Sequence, residues 1–281
     1  MPFRCLTRSL VLLQAAVFAG VIVLAVPAVR CAEREPLVMG DTFTIASKAV
    51  AETRRINVYL PPGYGETAEK PFPVLYMPDG GIPEDFLHVA GLVQVGVGNG
   101  TMRPFILVGI ENTERRRDMT GPTENAEDKK IAPRVGGSEA FRKFLREELM
   151  PEMKARYRTT DETAIIGESL AGLFVFETFL LEPELFDTYI AFDPSLWWNN
   201  AHLLDILPDH LAKHGKLEKT VYVATSSDIG DLGKRFAEVM TKSAPATVKW
   251  HYEPMPEEKH STIYHPAALK AFRTLFKPPA E

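Results

Sequence analysis

A mostly parallel, doubly wound α/β sheet with helices on both faces is what this chain predicts, and two patterns carry the prediction. Short apolar runs recur along the sequence without polar alternation, as in strands covered on both faces. Between them lie longer stretches whose apolar residues return at helical spacing. Strand–helix alternation of this kind leads to a parallel sheet, in which ligands are held outside the carboxyl ends of the strands.

Residues 42–45 and 55–60 read as the first two strands, the second closed by Pro61-Pro62-Gly63-Tyr64-Gly65, a turn by composition. Buried-strand runs follow at 73–77, 105–110, 163–166, 189–192 and 221–224, with a last strand at 247–253. One helix opens at Ser138, a good N-cap residue, and sets Phe141, Phe144, Leu145, Leu149 and Met153 on one face. Others are expected over 170–181, 201–213, 232–242 and 266–276, with a further helical region around His88. There is no internal repeat and no low-complexity linker, so residues 29–281 are expected to form a single domain.

Residues 1–28 stand apart. Arg4 and Arg8 precede an apolar stretch over 10–26, and Val26-Pro27-Ala28 offers a small-residue cleavage site, the pattern of a secretory signal peptide. The run is also long enough for an uncleaved N-terminal anchor, which would be the chain's one membrane contact. A cleaved leader expects a periplasmic or secreted protein, and an anchor one whose bulk faces the exterior of the membrane. Arg30 stands before Cys31 where a lipoprotein would carry a small residue, and Cys5 is the one other cysteine, so no internal disulfide is expected. A net charge of -5 argues against nucleic acid as a partner.

The chemistry is concentrated in Gly167-Glu168-Ser169-Leu170-Ala171, between a strand run and a helix. A serine between small residues at such a junction describes a nucleophile elbow, its hydroxyl held at the top of the sheet. The helix that follows aims its free N–H groups at the same spot. Serine needs a base, and the chain order of nucleophile, acid, histidine places it in the polar loop 257–261, at His260. His265 is the alternative. The carboxylate that orients the imidazole is expected after the strand at 221–224, at Asp228, with Asp231 next and a Ser-His dyad as the remaining case. Two backbone donors are needed for an oxyanion: Leu170 by position, and Gly80 or Gly81 after the strand ending at Met77. Arg115-Arg116-Arg117 and the Trp197-Trp198 loop lie at the same sheet edge. No metal or cofactor is expected: there is no HExxH, no cysteine cluster and no phosphate loop, and His210 and His214 lack a third ligand.

Taken together, the stretches 55–61, Tyr76-Met77-Pro78-Asp79-Gly80, Arg115 to Asp118, Gly167 to Gly172, Pro194-Ser195-Leu196-Trp197-Trp198 and His260 resemble the esterase D-like family of α/β-hydrolases, in particular its branch of periplasmic siderophore trilactone esterases. That resemblance implies an α/β-hydrolase fold and an exported serine ester hydrolase working through an acyl-enzyme on a small-molecule ester. It implies Ser169 as nucleophile, His260 as base, and Arg117, Trp197 and Trp198 as substrate contacts. Ala171 departs from the family's usual glycine, and aspartates stand where the family often has a glutamate. A general carboxylesterase, an acyltransferase on the same machinery and a non-catalytic ligand-binding module are the alternatives.

Overall fold

Every apolar run named above becomes a strand: β1 (Asp41–Ser47), β2 (Glu52–Tyr59), β3 (Phe72–Pro78), β4 (Ile106–Ile110), β5 (Thr159–Glu168), β6 (Thr188–Phe192), β7 (Thr220–Ser226) and β8 (Lys249–Met255). They form one sheet in the order β1-β2-β4-β3-β5-β6-β7-β8. β1 and β2 pair antiparallel, as do β2 and β4, and all the remaining pairs are parallel. This is the α/β-hydrolase fold. The structure is a computed structural model that describes residues 35–66, 69–213, 216 and 218–279. The leader read at 1–28, with Cys5, and Cys31 lie outside the described residues, and 39–281 form one unit.

The helices are α1 (Phe86–Gly98), α2 (Arg115–Asp118), α3 (Ser138–Phe144), α4 (Met150–Arg156), α5 (Leu170–Leu181), α6 (Trp198–Lys213), α7 (Leu232–Ser243) and α8 (Tyr264–Leu275). Side chains alternate across a strand, so one run serves two cores. Val74, Tyr76, Val108, Ile165, Tyr189 and Val223 pack with α3 and α5 to α7 on one face. Leu75, Met77, Leu107, Ile166, Ile190 and Tyr222 pack with α1 and α8 on the other. Both faces are covered, which is why these strands carry apolar residues without alternation.

α5 is apolar almost all round because it is enclosed almost all round. Of its 12 residues only Leu181 escapes burial. Burial of each large side chain contributes roughly 1.5–3 kcal/mol, so the helix that follows Ser169 is firmly seated. Glu177, its one charge, is buried against Arg142 of α3 at 2.6 Å. Gly172 allows the seating, since a Cβ there would stand 2.9 Å from the Phe192 carbonyl oxygen of β6.

Within α6, Asn199, Asn200 and Ala201 are in left-handed conformation, φ 47, 58 and 62°, so the right-handed helix follows Ala201, one residue inside the expected 201–213. α2 follows β4 at the sheet edge, and its four residues are too few to leave a periodic signal in the sequence. Among the described residues no helix is long and apolar enough to cross a membrane.

Candidate active site

Ser169 stands between β5 and α5 with φ 61° and ψ −120°. A non-glycine residue in that region costs on the order of 1–3 kcal/mol and persists only where its surroundings over-determine it. Here they do. Its N–H donates to the Phe192 carbonyl at 3.0 Å, and its carbonyl accepts from Leu173 at 2.9 Å and Ser195 at 3.0 Å. Gly167 makes the turn passable: a Cβ there would lie 2.7 Å from the Ala171 methyl. The methyl that departs from the usual glycine at 171 is thus taken up by the glycine at 167.

His260 reaches the serine from the loop between β8 and α8. Its Nε2 is 3.0 Å from Ser169 Oγ and its Nδ1 is 2.8 Å from Asp193 Oδ2. A carboxylate accepts only, so Nδ1 carries the proton and Nε2 is left to accept from the serine hydroxyl. That tautomer can take the serine proton and hold it while a leaving group departs. The hydrogen bond to Asp193 raises the His260 pKa above its ordinary value, burial opposes this, and the charges of Glu168, Asp193 and Asp228 add to the rise. Asp193 is buried. Burial pushes its pKa up, but hydrogen bonds from His260 and from the Ser226 hydroxyl and N–H, both at 2.6 Å, hold it below the usual carboxylate range.

The carboxylate on the imidazole is therefore Asp193, at the end of β6, and not Asp228 as the sequence suggests. Asp228 Oδ2 accepts the His260 backbone N–H at 2.9 Å and its Oδ1 faces Lys259 Nζ at 3.3 Å, so it holds the loop that carries the histidine. Asp231 points away, exposed beside Lys234. Of the other histidines, His265 lies beside His88, which faces Asp85, and His210 is tied to the Leu180 carbonyl.

The oxyanion donors differ from expectation in one member. Gly80 N–H donates to the Ile110 carbonyl at 2.9 Å, and the glycine is needed because a Cβ would meet the Gly109 backbone at 2.2 Å. Gly80 is a close backbone crossing, not a free donor. Gly81 N–H is held by Glu84 Oε2 at 2.6 Å. Leu170, the first residue of α5, has no intrahelical acceptor for its N–H.

The arginine run is divided by its partners. Arg115 forks Asp79 at 2.7 and 2.8 Å, tying α2 to the loop after β3. Arg117, expected as a substrate contact, is 14 % exposed and spent on Asp118 and Glu52, both at 2.7 Å. Asp118 in turn holds buried Arg54 of β2. Arg116 is exposed and lines a cavity of about 460 Å³ with Glu114, Arg115, Arg117 and Arg134. The tryptophans divide likewise. Trp197 is 46 % exposed and lines the cavity of about 230 Å³ that contains Ser169, Asp193 and His260. Trp198 is 3 % exposed, its indole N–H on the Gly121 carbonyl at 2.9 Å, and belongs to the core.

A strained serine on an α/β-hydrolase elbow, in hydrogen-bond reach of a histidine that a buried aspartate orients, defines the site class. The chain belongs to the family described as Putative esterase, whose model matches residues 47–263. A solved structure, an IroE-like serine hydrolase from Shewanella oneidensis, superposes with a TM-score of 0.76 at 30% identity, covering 85% of this chain and 80% of that one. Ferri-bacillibactin esterase BesA of Bacillus subtilis is 31% identical over 190 residues, 58% of this chain and 64% of that protein. Siderophore triacetylfusarinine C esterase of Aspergillus fumigatus is 29% identical over 150 residues, 50% of this chain and 49% of that protein. The match thus spans less than two thirds of the length of these two curated relatives.

Proposed function

We propose that this protein is an exported serine ester hydrolase that works through an acyl-enzyme on ester-linked siderophores. The observation that carries the reading is the bridge of His260 between Ser169 Oγ and Asp193. Ser169 attacks the ester carbonyl as its proton passes to Nε2, and Asp193 stabilises the imidazolium on its Nδ1 side. The Leu170 N–H, at the positive end of α5, faces the charge that develops on the carbonyl oxygen. The imidazolium then protonates the departing alkoxide, and water enters by the same route in reverse. Trp197 supplies an aromatic wall beside the serine, and Arg116 a cation with no side-chain partner among the described residues. Trp197 suits an aromatic ring beside the serine, and Arg116, in a separate cavity on α2 after β4, suits an anionic group of a bulky ligand remote from the ester. The names of the relatives support siderophores as the substrate class, and the leader pattern at 1–28 supports export.

The test is turnover of a ferric catecholate trilactone and of short p-nitrophenyl esters by the wild type and by Ser169→Ala. The wild type should cleave the trilactone with the higher kcat/KM, and Ser169→Ala should lose activity on both by about 10⁴-fold or more, since triad members act as a unit. Turnover of the short esters alone would make it a general carboxylesterase. No turnover, with no fluorophosphonate labelling of Ser169, would make it a binding protein.

A further inference from the structure

One group beside the serine has no part in the mechanism above. Glu168, the residue before the nucleophile, is 15 % exposed, and its Oε1 is buried with no hydrogen-bond partner. A buried acceptor left without a donor costs about 1–3 kcal/mol, so its presence needs a reason. That same oxygen lies 3.3 Å from His260 Nδ1. Nδ1 has one proton, and Asp193 at 2.8 Å takes it. Glu168 is left to act on the ring as a charge.

We propose that Glu168 is a second carboxylate on the His260 imidazole, a positioning residue whose charge sets the pH at which the histidine is free to act as a base. This rests on the Ser169–His260–Asp193 reading. The side chain shares its strand face with Ile166 and Ala164, the face that α1 and α8 cover. The groups that face it are His260, Arg115 of α2, Asp193 at the end of β6, Asp85 before α1 and Tyr264 of α8. Arg115 is already committed to Asp79, and Asp85 to His88. The charge nearest to Glu168 that can come and go is therefore the imidazolium.

Burial pushes the Glu168 carboxyl up to about 7, against the pull of His260 and Arg115. His260 Nδ1 is 3.3 Å away and its own pKa is raised, and two titratable groups this close lose their protons as a pair. An ionised Glu168 favours the imidazolium. That helps when Nε2 takes the serine proton, but it also keeps the free enzyme's histidine protonated to a higher pH. Loss of the charge should lower the His260 pKa.

The experiment is the pH profile of kcat/KM on a neutral ester for wild type, Glu168→Gln and Glu168→Asp. In parallel, His260 is titrated by NMR in Ser169→Ala protein with and without Glu168→Gln, a readout that does not depend on activity. Glu168→Gln should move the acid limb, and the His260 titration, down by about half a unit to one unit. Glu168→Asp should keep both near the wild type. An unmoved limb and titration in Glu168→Gln would overturn the proposal, as would equal shifts in the Gln and Asp variants, which would make size and not charge the cause. His260→Ala separates the two levels. If it is inactive while Glu168→Gln changes nothing, only the role of Glu168 falls; if it is active, the reading of the site falls.

Discussion

Asp193 leaves β6 beside the point where Ser169 leaves β5, because the residues before them, Phe192 and Glu168, are register partners. Both residues then turn into positive φ, 41° for Asp193 and 61° for Ser169. Adjacent parallel strands are about 4.8 Å apart, so the two side chains leave from neighbouring points of the sheet edge and one imidazole reaches both. A carboxylate after β7 starts one strand further away. The sheet's register thus favours the aspartate on the neighbouring strand, and Asp228 is left to hold the His260 backbone.

Asp193→Asn should therefore reduce kcat by about 10³- to 10⁴-fold, since an amide on Nδ1 favours the wrong tautomer. Asp228→Asn should cost no more than about tenfold, because an amide oxygen still accepts the His260 N–H. Asp193 also binds Ser226 twice, so thermal unfolding of both variants must accompany the kinetics. The reverse ranking, with Asp228→Asn the more damaging, would return the acid role to the strand after β6.

The strands and the elbow were legible in the sequence because each leaves a local trace. An apolar run marks a buried strand, and Gly167 to Ala171 marks the turn and the helix start. His260 leaves no such trace and follows from loop order and from the family resemblance. Asp193 was not legible, although it is the first residue after a strand, because its partnership with Ser169 is made by strand register, which no local pattern records. The same holds for the arginines. Three adjacent identical residues look alike in sequence, and only the positions of Asp79, Glu52 and Asp118 tell them apart. Gly80 misled for a related reason: a glycine that lets two backbones cross reads the same as one that lets a ligand approach.

Arg117→Ala and Arg116→Ala should separate structure from binding. Arg117 bridges Glu52 and Asp118 at the edge of β2, and its loss should lower stability by about 1–3 kcal/mol with KM little changed for short neutral esters. Arg116 is exposed beside its cavity, and its loss should leave stability within about 0.5 kcal/mol. For an anionic siderophore it should raise KM by roughly twofold to fivefold, the size of one solvated ion pair. Denaturant unfolding and paired kinetics on a neutral and an anionic ester decide it. Equal, small effects of Arg116→Ala on both esters would remove the cation from the substrate site.

Glu168 also makes a prediction for stability against pH that does not involve turnover. Its carboxyl stands at about 7 in the folded protein and near 4.5 in the unfolded chain, the reverse of a salt-bridged carboxylate. Between those values the folded state binds more protons than the unfolded state, so stability contributed at this position falls as pH rises through the window. Below it both states are protonated and the effect vanishes. Gln is a neutral isostere that never ionises, so Glu168→Gln should gain on the wild type between pH 5 and pH 8, by on the order of 1–3 kcal/mol. His260 is present in both proteins, and its attraction to an ionised Glu168 reduces the gain without changing its sign. Urea unfolding of the two proteins at pH 5 and pH 8 measures the difference directly. A stability difference that stays flat with pH would mean that Glu168 is ionised throughout, and that water or a cation satisfies the oxygen facing Nδ1.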